Sequence, residues 1–250
     1  MSRPEAFIRI IGEEFPDDRL TYQKGIATFH PESAEEVARL FKLAGKQGQK
    51  LYITGFGNNI DPLGEPFTSM IVVRTDRLND LIDVSEQNLY VTVGAGYPLR
   101  ETNIDLKPQK LFLPPAALPY VGSAAGAVAV NLSADLNGHL LPIKKFFIKA
   151  QVVTGEGEII EPGSVSFKSV SGYDIVKIFA PSWGLLGMLV SLTFRVVPET
   201  AAGEYAAMRM KEIDRGHFLS GLDDANTDVD ADYCRKIKAK FDPAGILPIV

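Results

Sequence analysis

Apolar positions along the chain mark out a short series of elements. Phe7, Ile8, Ile11 and Phe15 fall near one face of a helix over Glu5 to Phe15, which Pro16-Asp17-Asp18 ends. Thr28-Phe29-His30 is strand-like. After the turn Pro31-Glu32, Ser33 stands as an N-cap with Glu36 three residues on, the capping-box spacing. Val37, Leu40, Phe41 and Ala44 then place an apolar stripe at i, i+3, i+4 and i+7, and Gly45 or Gly48 stops the helix. Leu51 to Ile53 is a strand running into Thr54-Gly55-Phe56-Gly57-Asn58-Asn59, and Met70 to Val73 is a buried strand. Leu78 to Ile82 reads either as one turn of helix or as a bridging loop, closed by Asp83-Val84-Ser85. Leu89 to Gly96 is a strand, Pro98 to Leu106 a helix, and Leu111 to Leu113 an extended run before the loop Pro114 to Ala117.

The pattern then changes. Tyr120 to Asp135 is rich in small residues: Gly122, Ser123, Ala124, Ala125, Gly126, Ala127, Ala129, Ser133 and Ala134. Small side chains let backbone approach a ligand, and they serve tight helix packing equally well. Phe146 to Thr154 and Glu158 to Glu161 form a hairpin across Gly155-Glu156-Gly157. Val170 to Asp174 is a loop, and Ile175 to Phe179 is short and apolar. Pro181 to Gly187 is a glycine-bounded turn, and Met188 to Val197 a long strand. Tyr205 to Met210 reads as a strand and Ala231 to Phe241 as a helix. The order is β-α-β, then β, β, α, then mainly β, an α+β chain with a small α/β lobe at 25–115 and a mainly β lobe at 116–200.

Composition narrows the function classes. The 250 residues are 46% hydrophobic and 23% charged, enough for a sizeable core. A net charge of −5 argues against a nucleic-acid surface, which needs a basic stripe. The single cysteine, Cys234, excludes an internal disulfide and a thiolate cluster and suits a reducing compartment. His30, His139 and His217 lack HxxxH or HExxH spacing, so a histidine zinc site is not expected. Asp224, Asn226 and Asp228 match the first positions of a calcium loop, but Val229 replaces the required Gly and Arg235 the bidentate Glu. No metal site is expected. The N-terminus lacks a secretory apolar region, and Tyr120 to Leu132 is too short and too rich in Gly and Ala to cross a bilayer, so a cytoplasmic protein is expected.

The candidate chemistry centres on Thr54 to Asn59. Gly can take positive φ and approach a ligand closely, and successive N–H groups in such a turn can converge on an anion. A plain tight turn would look the same in isolation. The turn does not open a helix, and no acidic residue follows in a βαβ unit, so it is not a Rossmann fingerprint.

Four segments together resemble the FAD-linked oxidases with the vanillyl-alcohol-oxidase (PCMH) type of flavin-binding fold, closest to the FAD-binding subunits of glycolate oxidase and D-lactate dehydrogenase type enzymes. They are Pro31 to Val37, similar to P-x-S-x-x-E-V; Gly55 and Gly57 in the family's P-R-G-x-G-T, with Thr54 for Arg and Asn58 for Thr; Ala125 to Asn131, like G-G-x-x-A-T-N with Ala125 for the first Gly; and Ser171 to Gly187, like G-Y-D-L followed by G-S-E-G-T-L-G-I. Phe241 to Leu247 is similar to the F-D-P-x-x-I-L ending. The resemblance implies a two-lobed FAD-binding domain over 25–200, with 201–250 as a truncated cap remnant plus the C-terminal motif. It implies FAD on Thr54, Gly55, Phe56, Gly57, Asn58 and Asn59, with Pro115, Gly126, Ala129 and Asn131 on the other side and Gly187 toward the adenine.

Family members that bind flavin covalently use His or Cys, and neither lies between His30 and His139, so FAD is expected to be non-covalent. The family's large substrate (cap) domain has only Ala201 to Lys240 in its place, too little for a separate core. The cap normally supplies the substrate Arg, the acid/base His and any metal ligands, so catalytic residues stay unassigned. His139 reads as a structural histidine, and Lys144 and Lys145 as solvated surface.

Two functions follow. One is the FAD-binding subunit of an oxidoreductase complex oxidising a 2-hydroxy acid, with electrons passed to a partner subunit, either a cap-containing flavoprotein or an iron-sulfur protein. The other is a flavin-binding or assembly subunit without turnover. A flavin subunit of a molybdenum hydroxylase is a third idea, against which the Asp242-Pro243 ending speaks.

Overall fold

The computed structural model describes residues 3–23, 25–57, 67–119, 121–165, 175–213, 222 and 229–249. The expected loops at 58–59 and 170–174 and most of the acidic run at 223–230 lie outside them.

The chain opens with α1 (Arg3–Glu14), which buries Phe7 and Ile11. Strands β1 (Leu20–Gln23) and β2 (Ile26–Phe29) pair antiparallel. Helix α2 (Ala34–Gln47) crosses to β3 (Leu51–Thr54), and β4 (Ile71–Arg74) inserts parallel to both β2 and β3, giving the order β1-β2-β4-β3. Ser33 caps α2 as expected, its Oγ accepting from Glu36 N at 3.2 Å. The reciprocal half of the capping box moves one residue upstream. The Glu36 carboxylate accepts from Glu32 N at 2.8 Å and from Arg19 Nε, not from its own cap. Val37, Leu40, Phe41 and Ala44, the stripe read from the sequence, are fully buried. Gly48, in the left-handed region at φ +64°, ends the helix.

The second sheet is antiparallel. It comprises β5 (Leu81–Ser85), β6 (Tyr90–Gly94), β10 (Phe147–Thr154), β11 (Ile159–Ile160) and β12 (Gly187–Arg195), in the order β11-β10-β12-β6-β5. It draws on both sides of residues 115/116, and one large apolar cluster runs from Phe7 to Leu247, beside a small one of Ile26, Phe67 and Val72. Of Leu78 to Ile82, expected as a helix turn or a bridging loop, residues 78–80 are irregular and Leu81 and Ile82 are strand. The segment enters β5, whose exposed edge leaves Leu81, Ile82 and Asp83 outside and so carries no burial pattern to read.

Between β6 and β10 the chain forms α3 (Thr102–Leu106), β7 (Leu111–Phe112), α4 (Ala124–Ala129), β8 (Ser133–Leu136) and β9 (His139–Pro142). The helix expected over Pro98 to Leu106 is a 3-10 turn followed by the short α3. After β12 come β13 (Val197–Pro198), paired with β7, and β14 (Arg209–Met210), paired with β8 in the small sheet β14-β8-β9. The strand expected over Tyr205 to Met210 is thus a two-residue strand preceded by a 3-10 turn ending at Tyr205. Helix α5 (Val229–Phe241) closes the chain.

The C-terminal motif acts as a knot. Asp242 accepts from Ile246 N and Leu247 N, both at 2.9 Å, and Leu51 N donates to Ile246 O at 2.8 Å. Lys238 Nζ donates to Leu185 O and Leu247 O at 2.7 Å and to Asp242. Burial pushes the Lys238 ammonium down, and Asp242 works against that shift. The tail is therefore tied to the start of β3 and to the turn that precedes β12. Among the described residues, no helix is long and apolar enough to cross a membrane.

Candidate functional site

Three segments distant in sequence converge on one cleft of about 1000 Å³, its open mouth included. The first wall is the turn after β3: Thr54, Gly55, Phe56 and Gly57, with Tyr52 and Ile53 before it. Thr75 N donates to Thr54 O at 3.1 Å, and Arg74 Nη2 braces the turn by donating to Phe56 O. Gly57 sits at φ +78°, where a side chain is strained.

The second wall is Val121 to Val130, built around α4. Ser123 caps this helix, its Oγ accepting from Gly126 N at 3.1 Å. A Cβ on Gly55 would lie 2.4 Å from that same Oγ, so the absence of a side chain lets the turn seat directly on the cap. The first N–H groups of α4 are already engaged: Ala124 N donates to Tyr97 O and Ala125 N to Ala95 O, each at 2.9 Å. Donors for an anion must therefore come from the turn, not from this helix end.

The third wall is Ser182, Trp183, Gly184 and Gly187, with Leu189 behind it. Ser182 N and Trp183 N both donate to Ala129 O, at 3.0 and 2.9 Å, so the turn hangs from the end of α4. Met210 and Ile213 also line the cleft, placed by the pairing of Met210 with Ala134 of β8.

Of the residues expected from the sequence, Thr54, Gly55, Phe56, Gly57, Gly126, Ala129 and Gly187 line this cleft. Asn58 and Asn59 lie outside the described residues. Pro115 and Asn131 are not among the lining residues. Pro115 is buried in the 3-10 turn Pro114–Ala117. Asn131 takes the left-handed conformation at φ +49°, and its side chain accepts from Lys144 N. Asn tolerates that conformation, which suffices to explain its place just beyond Val130, the residue that ends α4. His139, expected to be a satisfied structural histidine, is instead exposed on the β8–β9 hairpin. Lys144 and Lys145 are solvent-exposed, as read.

Thr75, Met210 and Ile213 were not expected at the site from the sequence, and Trp183 only as part of the turn that ends at Gly187. Asn137-Gly138, both at positive φ, is a strong hairpin signal that would have revealed the β8–β9 sheet carrying Met210. Thr75 had no comparable signal. It follows β4 with its hydroxyl buried and without a hydrogen-bond partner among the described residues.

The lining suits a largely apolar ligand with a few polar groups. It is mostly apolar and small, with a few polar groups at defined places, among them the unpartnered Thr75 Oγ1. The described lining residues include no His, Cys, Asp, Glu, Lys or Arg. No cluster of metal-ligating side chains occurs among the described residues.

Taken together, the α+β fold and its cleft define a PCMH-type flavin-binding domain. The family model described as FAD binding domain matches residues 26–163, more than half of the chain, and the chain belongs to that family. FAD is its cofactor. The chain is 25% identical over 209 residues to the glycolate oxidase subunit GlcD of Bacillus subtilis, covering 78% of this chain and 44% of that protein. It is 24% identical over 169 residues to a D-lactate dehydrogenase of Archaeoglobus fulgidus, covering 68% and 38%. Among solved structures, an alkyldihydroxyacetonephosphate synthase superposes with a TM-score of 0.63 at 20% identity, covering 78% of this chain and 40% of that one, a likeness of fold. The chain thus spans less than half the length of these relatives.

Proposed function

We propose that this chain is the FAD-binding subunit of an oxidoreductase complex acting on a 2-hydroxy acid of the glycolate or D-lactate class, with electrons passed to a partner subunit. The observation that carries the reading is the convergence of the turn 54–57, α4 and the turn 182–187 on one cleft. In this reading residues 25–200 are the flavin domain, and 201–250 stand in place of a cap. Bound FAD supplies the hydride acceptor. The backbone of Gly55 to Gly57 faces the pyrophosphate, Thr75 Oγ1 offers a hydroxyl to the ligand, and Gly126 and Ala129 allow close approach. The described lining holds no His or Cys, which favours non-covalent attachment.

Oxidising a hydroxy acid requires a base within hydrogen-bond reach of the hydroxyl. The described lining carries no carboxylate, imidazole or lysine, which favours a base supplied by another subunit. The same observation favours the second reading, a flavin-binding or assembly subunit without turnover. The absorbance spectrum of the purified protein tests the cofactor, with flavin bands expected. Bleaching by glycolate or D-lactate separates the two functions. Bleaching only in the presence of a co-purified partner supports the complex. No bleaching in the intact complex supports the second reading, and a colourless protein that takes up no FAD removes both.

A further inference from the structure

We infer that Trp183 is a stacking platform for a flat heterocycle of FAD, an inference that rests on the cofactor reading above. Trp183 is the only tryptophan in the chain. It lines the cleft, remains partly exposed, and is not part of the hydrophobic core cluster. Its backbone lies at φ +52°, a conformation uncommon for a bulky residue, and Gly184 follows at φ +75°. Strain of this kind persists where the surroundings impose it, and it gathers at ligand sites. Here the surroundings are identifiable. Ala129 O takes both the Ser182 and the Trp183 N–H, and Gly184 sits so close to Ile53 that a Cβ there would come within 3.3 Å.

The result is one large ring in a wall whose other members, Ser182, Gly184 and Gly187, are small, with Ala129 of the second wall bonded to its backbone. An aromatic face beside small neighbours leaves room for a second planar group to lie against it. Position supports a ring over a phosphate. Ala129 is the last residue of the six-residue α4, and the turn 54–57 sits on the Ser123 cap at the other end. At 1.5 Å per residue the two ends lie about 9 Å apart. The motif that this turn resembles has a glutamate where Trp183 stands, so the resemblance itself does not suggest a stacking ring. Adenine and isoalloxazine are both flat heterocycles separated from the pyrophosphate by a sugar unit, and the test distinguishes them.

Affinities of FAD, ADP and FMN are measured by equilibrium dialysis on flavin-free wild type, Trp183→Phe and Trp183→Ala. Loss of one base-stacking ring weakens binding by about tenfold to a hundredfold. The expected result is a loss of that size for FAD in Trp183→Ala and near-wild-type affinity in Trp183→Phe. A parallel loss for ADP assigns adenine; a parallel loss for FMN assigns isoalloxazine. Wild-type FAD affinity in Trp183→Ala, or an equal loss in both variants, overturns the inference while leaving FAD binding intact. A wild type that binds no FAD instead removes the cofactor reading. A second measurement needs no variant: acrylamide quenching of the lone tryptophan. FAD is expected to shield it, and unchanged quenching at FAD saturation overturns the stacking role.

Discussion

Helices α2 and α4 both begin at a serine whose hydroxyl accepts the N–H three residues on. Beyond the cap they diverge. α2 runs for 14 residues and turns Val37, Leu40, Phe41 and Ala44 into the core. α4 runs for six residues, Ala-Ala-Gly-Ala-Val-Ala, and four of them line the cleft. Large apolar side chains at helical spacing drive burial of one face. Small ones sacrifice that driving force and let other backbone come close, from the Gly55 turn at one end and the Trp183 turn at the other. One helix stabilises the fold, and the other is a partition around which a ligand site is assembled.

The sharpest break in this contrast comes from one substitution on each side. Phe41→Ala empties a fully buried position and is expected to cost about 3–5 kcal/mol. That is a large part of the ~5–15 kcal/mol typical of a folded protein. Urea unfolding should show it as a lower midpoint. Gly57→Val acts in the opposite sense. A β-branched residue at φ +78° strains a half-buried turn and blocks backbone approach at the cleft. FAD content should fall to background while the protein stays folded and soluble. Unchanged flavin in this variant would show that the turn does not hold the pyrophosphate.

The two caps give a finer comparison. Ser33→Ala removes about 1 kcal/mol, which in a chain of this size lowers Tm by about 2–4 °C. FAD affinity should not change, because Ser33 lies away from the cleft lining. Ser123→Ala should lower Tm similarly and also weaken FAD, by roughly fivefold for ~1 kcal/mol of lost positioning. The difference arises because Ser123 lies in the cleft wall and supports Gly55. Equal FAD affinities in the two variants would dissolve the distinction.

The same division explains what could be read from the sequence. α2 was legible from its cap to Gly48, because bulky residues at a 3.6 period leave a pattern. The three cleft segments were visible as glycine- and alanine-rich stretches and as a resemblance, but small residues have no period that tells a partition from a packing surface. Strand β5 was misread because its outer residues are exposed and its inner face short. Pro115 and Asn131 belong to segments that are close in sequence to cleft residues, yet a buried 3-10 turn and a left-handed corner place them elsewhere. Thr75 and Met210 reach the site through strand pairing alone, β4 on β3 and β14 on β8, which is tertiary information.

The smallest expected effect concerns the link between the two regions. His30, directly after β2 and ahead of α2, places Nδ1 2.9 Å from Asp76 Oδ1 and Nε2 2.9 Å from Thr21 Oγ1. Asp76 follows Thr75, the buried hydroxyl of the cleft wall. Burial alone would raise the Asp76 carboxyl, but its bond to His30 and the nearby charges of His30 and Arg74 outweigh that and hold it below its ordinary value. The folded state therefore binds this proton less readily than the unfolded chain. Its contribution to stability is complete above the unfolded carboxylate value of about 3.9 and is lost as pH falls through the lower folded value. Asp76→Asn should reduce stability modestly at neutral pH and flatten the loss of stability below about pH 4. Urea midpoints for wild type and variant from pH 6 down to pH 3 measure this, and curves that stay parallel across that range would show that the His30–Asp76 pair does not hold the carboxyl below its ordinary value in the folded state.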